Sequence, residues 1–247
     1  MRLLSYNIRH GGVGRERQLA AVIRECAPDL VVLQEASRPH VVEALAAATG
    51  MSTWAAQPGY SLAFMSRLKI ARHEWHRPPR TRRAHLEIVP AGTEFRVFGI
   101  HLSAVHSNWT ERRRVRELRA LLEIVGRDRD GIHVLIGDFN TLAPGELLDA
   151  RRLPPRLQTL VWLSGGRIRY ETIQIMLDAR YLDGYRVLHP DDRGFTFPTW
   201  DPHVRLDYVF LPETYAGSLK ECRVVNAVPS AAEASDHFPL LALVENP

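Results

Sequence analysis

Short apolar runs that stop at a polar residue recur along the 247-residue chain. They read Leu3-Leu4-Ser5-Tyr6-Asn7, Leu30-Val31-Val32-Leu33-Gln34-Glu35, Val97-Phe98-Gly99-Ile100-His101 and Val134-Leu135-Ile136-Gly137-Asp138-Phe139-Asn140. Later come Arg205-Leu206-Asp207-Tyr208-Val209 and Ser235-Asp236-His237-Phe238-Pro239-Leu240. Runs of this length and composition predict buried strands. Between them, Leu19, Val22, Ile23 and Cys26 fall at helical spacing, and Pro28 stops that helix. An Ala-rich helix is predicted near 40–48, ending at Gly50, a strongly amphipathic one over 110–125 and another near 170–178. Further strands are expected over 61–66, 84–89, 95–102, 194–198, 205–211 and 235–244. Residues 72–83, rich in Arg, His and Pro, read as a loop. Residues 141–160, with Pro144, Pro154 and Pro155, read as irregular around a short helix. Strands outnumber helices and do not strictly alternate with them. That pattern argues for an α/β chain with mixed or antiparallel sheets rather than a doubly wound sheet. No linker or repeat interrupts it, so residues 1–247 are expected to form one domain.

Composition narrows the picture. At 45% hydrophobic and 24% charged residues the chain can bury a sizeable core, which excludes disorder. Cys26 and Cys222 form no C-x-x-C pair, so no disulfide framework is expected and a reducing compartment fits. No basic leader precedes an apolar segment, and no run approaches the ~18 apolar residues of a membrane span. A cytoplasmic protein without stable membrane insertion is the expectation. The formal charge of +4 and pI near 9.3 permit a polyanionic partner. They do not demand one, because only Lys69 and Lys220 of the 32 basic residues are lysines, a bias that coding alone can produce.

The polar strand ends carry the chemistry. A buried polar group without a partner costs about 1–3 kcal/mol, so six polar endings suggest strand ends that converge on a charged site. Asp138 and Asn140 stand two apart at one end and face the same way. The carboxylate can take a proton from water while the amide donates to a phosphoryl oxygen. Glu35 is a hard oxygen ligand suited to Mg²⁺ or Mn²⁺. Asp236 places another carboxylate beside His237, and Asp207 can orient an imidazole by accepting its second N–H. Together these are the parts of metal-assisted phosphoryl hydrolysis. Each has a plainer reading alone. Asn7 would be a turn amide, Glu35 a solvated strand end and His101 a core histidine. Asp207 would be an ion-pair partner of Arg205, and Asp138 with Asn140 an Asx turn. It is their conjunction that points to a site.

The chain resembles the endonuclease/exonuclease/phosphatase (DNase I-like) superfamily. The matching pieces are Ser5-Tyr6-Asn7-Ile8, Leu33-Gln34-Glu35, Ile100-His101-Leu102, Gly137-Asp138-Phe139-Asn140, Arg205-Leu206-Asp207-Tyr208 and Ser235-Asp236-His237, in the family's order. The resemblance implies a four-layer α/β/β/α sandwich with mixed, mostly antiparallel sheets and a site at one rim. It implies that Glu35 binds a catalytic Mg²⁺, with Mn²⁺ as an alternative, supported by Asn7 and Asp236. Asp138 would position or deprotonate the attacking water, and Asn140 would hold a phosphoryl oxygen. His237, oriented by Asp207, would stabilise the pentacovalent phosphorus or donate a proton. His101 would contact the phosphate or assist the leaving group. The implied reaction is phosphodiester hydrolysis, with nucleic acid as the leading substrate.

Departures from the family's branches refine this. His101 stands where exonuclease III-type abasic endonucleases carry a tyrosine-containing segment, and Gln34-Glu35-Ala36-Ser37 replaces their Gln-Glu-Thr-Lys. The Trp-Cys-Asp-Arg signature of the 5-phosphatases is absent. The histidine matches the DNase I, sphingomyelinase and tyrosyl-DNA phosphodiesterase branches better, and a nuclease or DNA-end phosphodiesterase leads. A sphingomyelinase-like phospholipase ranks second, for want of an apolar hairpin, and a phosphomonoesterase third. A catalytically silent phosphate-binding module is the reading from another class.

Three smaller features remain. Arg72, Arg77, Arg80, Arg82 and Arg83 surround Trp75, a pattern that could grip phosphates and stack a base, or simply be a solvated loop. Arg83 is the best single candidate for a substrate phosphate contact, because it begins a strand. Arg112, Arg113, Arg114, Arg116 and Arg119 read as the solvated face of a helix buried through Val115, Leu118, Leu121 and Leu122. His73 and His76 lack a third ligand. Gly12-Val13-Gly14, with Glu35 downstream, is an incomplete dinucleotide fingerprint because Arg17 takes the third glycine position. A mobile loop at the rim is the expectation there.

Overall fold

The structure, a computed structural model, describes residues 1–79, 81–104, 108–126, 131–146, 149–152, 158–159 and 169–245. Two β-α-β units set its plan. In the first, β1 (Arg2–Asn7) and β2 (Leu30–Gln34) lie parallel, joined through helix α1 (Glu16–Cys26). In the second, β7 (Arg96–His101) and β8 (His133–Asp138) lie parallel, joined through α3 (Asn108–Val125). Antiparallel strands flank each pair. The first sheet runs β11 (Leu219–Val224), β12 (Leu240–Val244), β1, β2, β4 (Leu62–Ser66), β3 (Thr53–Ala56). The second runs β5 (Ile70–His76), β6 (His85–Pro90), β7, β8, β10 (Asp207–Pro212), β9 (Tyr181–Asp183).

The two sheets face each other. Leu3, Val32, Phe64 and Leu240 of the first form one buried cluster with Leu86, Val97, Ile136 and Val209 of the second. The opposite faces are also covered. Leu4, Tyr6, Val31 and Leu33 pack under α1 and α2 (Pro39–Thr49), through Leu19, Val22, Val42 and Leu45. Phe98, Ile100, Leu135 and Phe210 pack under α3 and α4 (Glu171–Asp178), through Leu118, Leu121, Ile173 and Met176. Four layers result, helices, sheet, sheet and helices. Because both faces of the central strands are buried, these strands read as continuous apolar runs rather than alternating ones.

Side chains two apart share a face. The inward-facing columns are Leu3-Ser5-Asn7, Val97-Gly99-His101, Val134-Ile136-Asp138 and, from the other direction, Val209-Asp207. Each begins in the shared apolar layer and ends at a polar side chain. The C-terminal ends of both parallel pairs lie beside the N-terminal starts of antiparallel β10 and β12. The inner layer therefore turns from apolar to charged along one rim.

Several elements differ from the sequence expectation. Residues 70–76, overlapping the start of the expected loop at 72, form edge strand β5, registered on β6 with Glu74 opposite Glu87 and His76 opposite His85. An edge strand facing water carries charges where a central one cannot. β3, β9 and β11 are short or alternating strands that the apolar runs do not mark. Residues 194–198 make one bridge, Phe197 to Val204, rather than a strand, and the last strand begins at Leu240 instead of 235. The α3 face is also not wholly solvated. Arg114 is buried, donating to Glu111 at 2.7 and 3.0 Å and to the Ser103 carbonyl at 2.9 Å. Glu111 accepts from the backbone and hydroxyl of Thr172 on α4, both at 2.8 Å. Gly11 and Gly12 are buried, and a Cβ on Gly12 would meet Leu19, Ile8 and Val41, so the turn is packed at these two residues, while Val13 and Gly14 after them are exposed. Of residues 141–160, Ala150–Arg152 form a 3-10 turn, whereas Pro154 and Pro155, like Arg80, lie outside the described residues. Both cysteines are free and buried, and among the described residues no helix is long and apolar enough to cross a membrane.

Gly137 gives a direct test of how closely β7 and β8 approach. Its φ is +152°, and a Cβ there would lie 2.0 Å from the Ile100 carbonyl oxygen. Gly137→Ala is expected to cost roughly 3 kcal/mol or more, from overpacking and an unfavourable backbone together. Urea denaturation measures it, and an unchanged midpoint would contradict the close approach.

Candidate active site

Register brings the central residues together. Asp138 is paired with His101 on parallel β7 and with Asp207 on antiparallel β10. All three are buried. His237, three residues before β12, reaches across from the first sheet, and its Nδ1 lies 2.9 Å from Asp207 Oδ2. Its Nε2 lies 4.0 Å from Asp138 Oδ2, and His101 Nε2 lies 3.9 Å from the same oxygen. The two imidazoles thus flank one carboxylate without touching it.

Asparagines hold that carboxylate. Asn7 Nδ2 donates to Asp138 Oδ2 at 3.0 Å, a bond from one sheet to the other. The Asn140 backbone donates to Oδ1 at 2.8 Å and its Nδ2 to Oδ2 at 3.0 Å. The Asx turn is therefore present and is part of the arrangement. Asn140 Nδ2 also donates to the Leu102 carbonyl at 3.1 Å, so both N–H bonds of its amide are committed within the protein. Asn140 adopts φ +52° and Glu35 φ +56°.

Glu35 and Asp236 form the acidic side. Glu35 Oε2 accepts from the His10 backbone at 2.5 Å, and Asp236 Oδ2 lies 3.4 Å from Arg9 Nε. Ser235 Oγ donates to the Asn7 carbonyl at 2.6 Å. Arg15 donates to the carbonyls of Ile8, Arg9 and Ala234, joining the turn after β1 to the segment before β12. A cleft of about 570 Å³ opens between Glu35, Asp236, Asp138, Asn140, His101 and His237, with Arg83 and Phe197 also on its wall.

The sequence reading passed over Arg9, His10, Arg15 and Phe197. Arg9 and His10 stand two and three residues after Asn7, and the Phe197 ring sits 4.8 Å from that of His237. Only Arg9 and His10 had an available signal, their place beside a polar strand end. Asp207 does not pair with Arg205. The Arg205 guanidinium is buried against Asp183 at 2.6 and 2.8 Å and Glu146 at 2.7 Å. Arg72 and Trp75 are not free to meet a substrate, since Arg72 pairs with Glu87 and Trp75 donates to the Leu62 carbonyl.

A sequence profile of the endonuclease/exonuclease/phosphatase family matches residues 4–237. The chain belongs to this family. Its chemistry is phosphoester hydrolysis. A search of curated proteins returned no match. Among solved structures, the fold is similar to a 3′ phosphatase from Neisseria bound to a product DNA hairpin, at TM-score 0.75 and 21% identity over 99% of each chain. It is also similar to an AP endonuclease from Archaeoglobus fulgidus, at TM-score 0.74 and 18% identity over 99% of each chain. A humanized D. rerio TDP2 gives TM-score 0.70 and 19% identity, covering 100% of this chain and 99% of that one. At these identities the likeness concerns the fold.

The donor set of this endonuclease/exonuclease/phosphatase family member fits a hard divalent cation. Glu35, Asp236 and the Asn7 amide offer oxygen only, and one or two carboxylates with water suffice for Mg²⁺. Among the described residues no lysine or arginine lies within ion-pair distance of Glu35. A tighter His–carboxylate group, Glu74, His76 and Glu87, lies on β5 and β6. There Glu87 already accepts from Arg72, Arg96 and His76, so its charge is met by side chains.

Electrostatics divides the labour. Burial opposes charge on His237, but Asp207, aided by Asp138 and Asp236, outweighs it and lifts the imidazole to about 9. Burial pushes Asp138 up to about 7, against the pull of His237 and the amide donors. His101 is driven well below the usual histidine range by burial, with Arg83 and His237 adding to it, and stays neutral. A raised folded pKa stabilises below the unfolded value and loses that contribution as pH rises through the folded one. His237 should therefore cost the protein stability between about pH 6.5 and 9, on the order of 3 kcal/mol at most. Asp138 adds a loss of the same sign at lower pH. Asp207→Asn should flatten the stability profile over the upper window. Thermal melts across pH measure it, and a mutant slope equal to the parent's would contradict the assignment.

Proposed function

We propose that the chain, as one catalytic domain, is a divalent-metal-dependent phosphodiesterase acting on nucleic acid. The observation that carries this reading is the Asp207–His237 pair facing Asp138 across a gap, inside a cleft with carboxylates on one side and Arg83 on the other. That the Neisseria 3′ phosphatase is bound to DNA supports nucleic acid over a lipid headgroup. So does a cleft wall whose apolar side chains among those lining it are Ala104, Phe197 and Leu206.

Glu35, Asp236 and Asn7 would hold the metal, Mg²⁺ or Mn²⁺, which when bound supplies a Lewis acid for the phosphoryl oxygens. Asp138 takes the proton of the attacking water. Its pKa near 7 suits a general base at neutral pH, and its hydrogen bonds hold it in one orientation. The charged His237 donates through Nε2 to the phosphoryl group as negative charge develops there, while Asp207 fixes its Nδ1 side. Neutral His101, whose buried Nδ1 has no hydrogen-bond partner among the described residues, supplies a second imidazole near the phosphoryl or leaving oxygen. In this geometry Asn140 acts through Asp138, and it reaches a phosphoryl oxygen by releasing either the Leu102 carbonyl or Asp138 Oδ2. Arg83 neutralises a non-bridging oxygen.

Supercoiled plasmid tests the reading. Nicking is expected with Mg²⁺ or Mn²⁺ and none in EDTA. His237→Ala and Asp138→Asn should each lower the rate by about 10²–10⁴-fold. Nicking that survives either chelation or His237→Ala would overturn it. So would a protein that cleaves neither plasmid nor a bis-aryl phosphodiester with metal present.

A further inference from the structure

Arg83 lines the cleft and also two smaller hollows beside it. One, of about 220 Å³, is walled by Tyr60, Arg77, Arg82 and Arg83, and shares Ser37 and Ser61 with the cleft. The other, of about 340 Å³, is walled by Arg82, Arg83, Arg113, Ser103 and Ala104. Among the described residues no aspartate or glutamate lines either one. Among the described residues Arg77, Arg82, Arg83 and Arg113 make no ion pair, in contrast to Arg2, Arg9, Arg72, Arg96, Arg114 and Arg205. Arg77 lies 4.8 Å above the Tyr60 ring, which orients its guanidinium without neutralising it.

The hollows differ in kind from the cleft. The cleft wall holds the acids Glu35, Asp138 and Asp236 beside histidines and an arginine. Among the described residues the charged groups lining the hollows are all arginines, and such cations gather anions from solution. Arg113 is presented by a fixed element, since its neighbour Arg114 bonds the carbonyl of Ser103, which lines the same hollow. A lone phosphodiester fills only the cleft. Two adjoining cationic hollows, meeting at the Arg82–Arg83 step, match a ligand with further phosphates in series.

We propose that Arg82 and Arg113, with Arg77, bind the phosphates of a nucleic-acid strand that neighbour the one hydrolysed in the cleft. The inference rests on the phosphodiesterase reading for the identity of the cleft. It adds that the substrate is a strand rather than an isolated phosphoester, and it names the residues that impose this.

Binding and turnover separate the two claims. Full-length His237→Ala protein with Mg²⁺ would be titrated with a labelled single-stranded 12-mer, read by fluorescence anisotropy at several salt concentrations. Adding Arg82→Ala and Arg113→Ala should weaken binding by about tenfold or more at low salt. It should also make the log–log salt slope shallower by about 1.4, or about 0.7 for each phosphate no longer neutralised. Arg116→Ala, on the exposed face of the same helix, should change affinity by less than about twofold, and the double Arg→Lys variant should recover most of it. In the active background, the double alanine variant should lose at least about tenfold more kcat/KM on the oligonucleotide than on a bis-aryl phosphodiester. Unchanged affinity and slope would overturn the strand path. So would equal losses on both substrates, or arginine-dependent binding of phosphatidylserine vesicles without oligonucleotide binding. If nothing is cleaved yet the double variant loses salt-dependent strand binding, the catalytic reading falls and the strand path stands.

Discussion

Asp138 and Asp207 lie opposite each other on neighbouring strands, buried where water cannot solvate either. Two carboxylates in that position are costly unless something charged or strongly donating shares the space. His237 answers one, by an ion pair closed at 2.9 Å, and three N–H bonds from Asn7 and Asn140 answer the other. Because Asn7 and His237 come from the first sheet and the aspartates from the second, satisfying these charges also locks the two sheets together at the rim. Remove the histidine and the carboxylates repel. Remove the carboxylates and the histidine loses its reason to be charged.

The rest of the architecture serves that juxtaposition. Parallel pairing of β1 with β2 and of β7 with β8 sends four chain ends to one rim, and the crossover helices stay on the outer faces, away from it. The apolar layer between the sheets supplies the rigidity, and its inner columns deliver side chains in register. Buried ties outside the cleft extend the same frame. Arg205 joins β9 and the segment after β8, and Arg114 joins α3 to the segment after β7. Both guanidinium groups are buried against carboxylates, and such contacts are destabilising to break from one side only.

How much of this can be read from the chain follows from burial. β1, β2, β7, β8 and β10 are enclosed on both faces, so their apolar runs are continuous and their polar ends stand out. That made Asn7, Glu35, His101, Asp138, Asp207 and His237 visible as a group, and the structure places Glu35, His101, Asp138 and His237 on one cleft wall with Asn7 and Asp207 bonded to them from behind. What it hid were features set by tertiary partners. β5 looks like a loop because an edge strand can be charged. Arg114 looks solvated because nothing in its own segment announces Thr172 and Ser103. Arg205 stands two residues from Asp207 yet bonds Asp183 and Glu146. The commitment of both Asn140 N–H bonds depends on the Leu102 carbonyl, 38 residues away. Local spacing shows which face a side chain takes, and not which distant group it meets.

Glu35 and Asn140 hold backbone conformations that side-chain-bearing residues avoid, glutamate more than asparagine. Of the order of 1 kcal/mol is stored at Glu35 relative to a glycine there. Two selective pressures therefore oppose each other at a single position. A lineage under demand for thermal robustness alone gains by relaxing the turn after β2 to glycine, and in doing so discards a carboxylate of the cleft. Stabilised descendants of this chain, whether natural or chosen in a laboratory without an activity filter, would lose this acid early while keeping the fold whole.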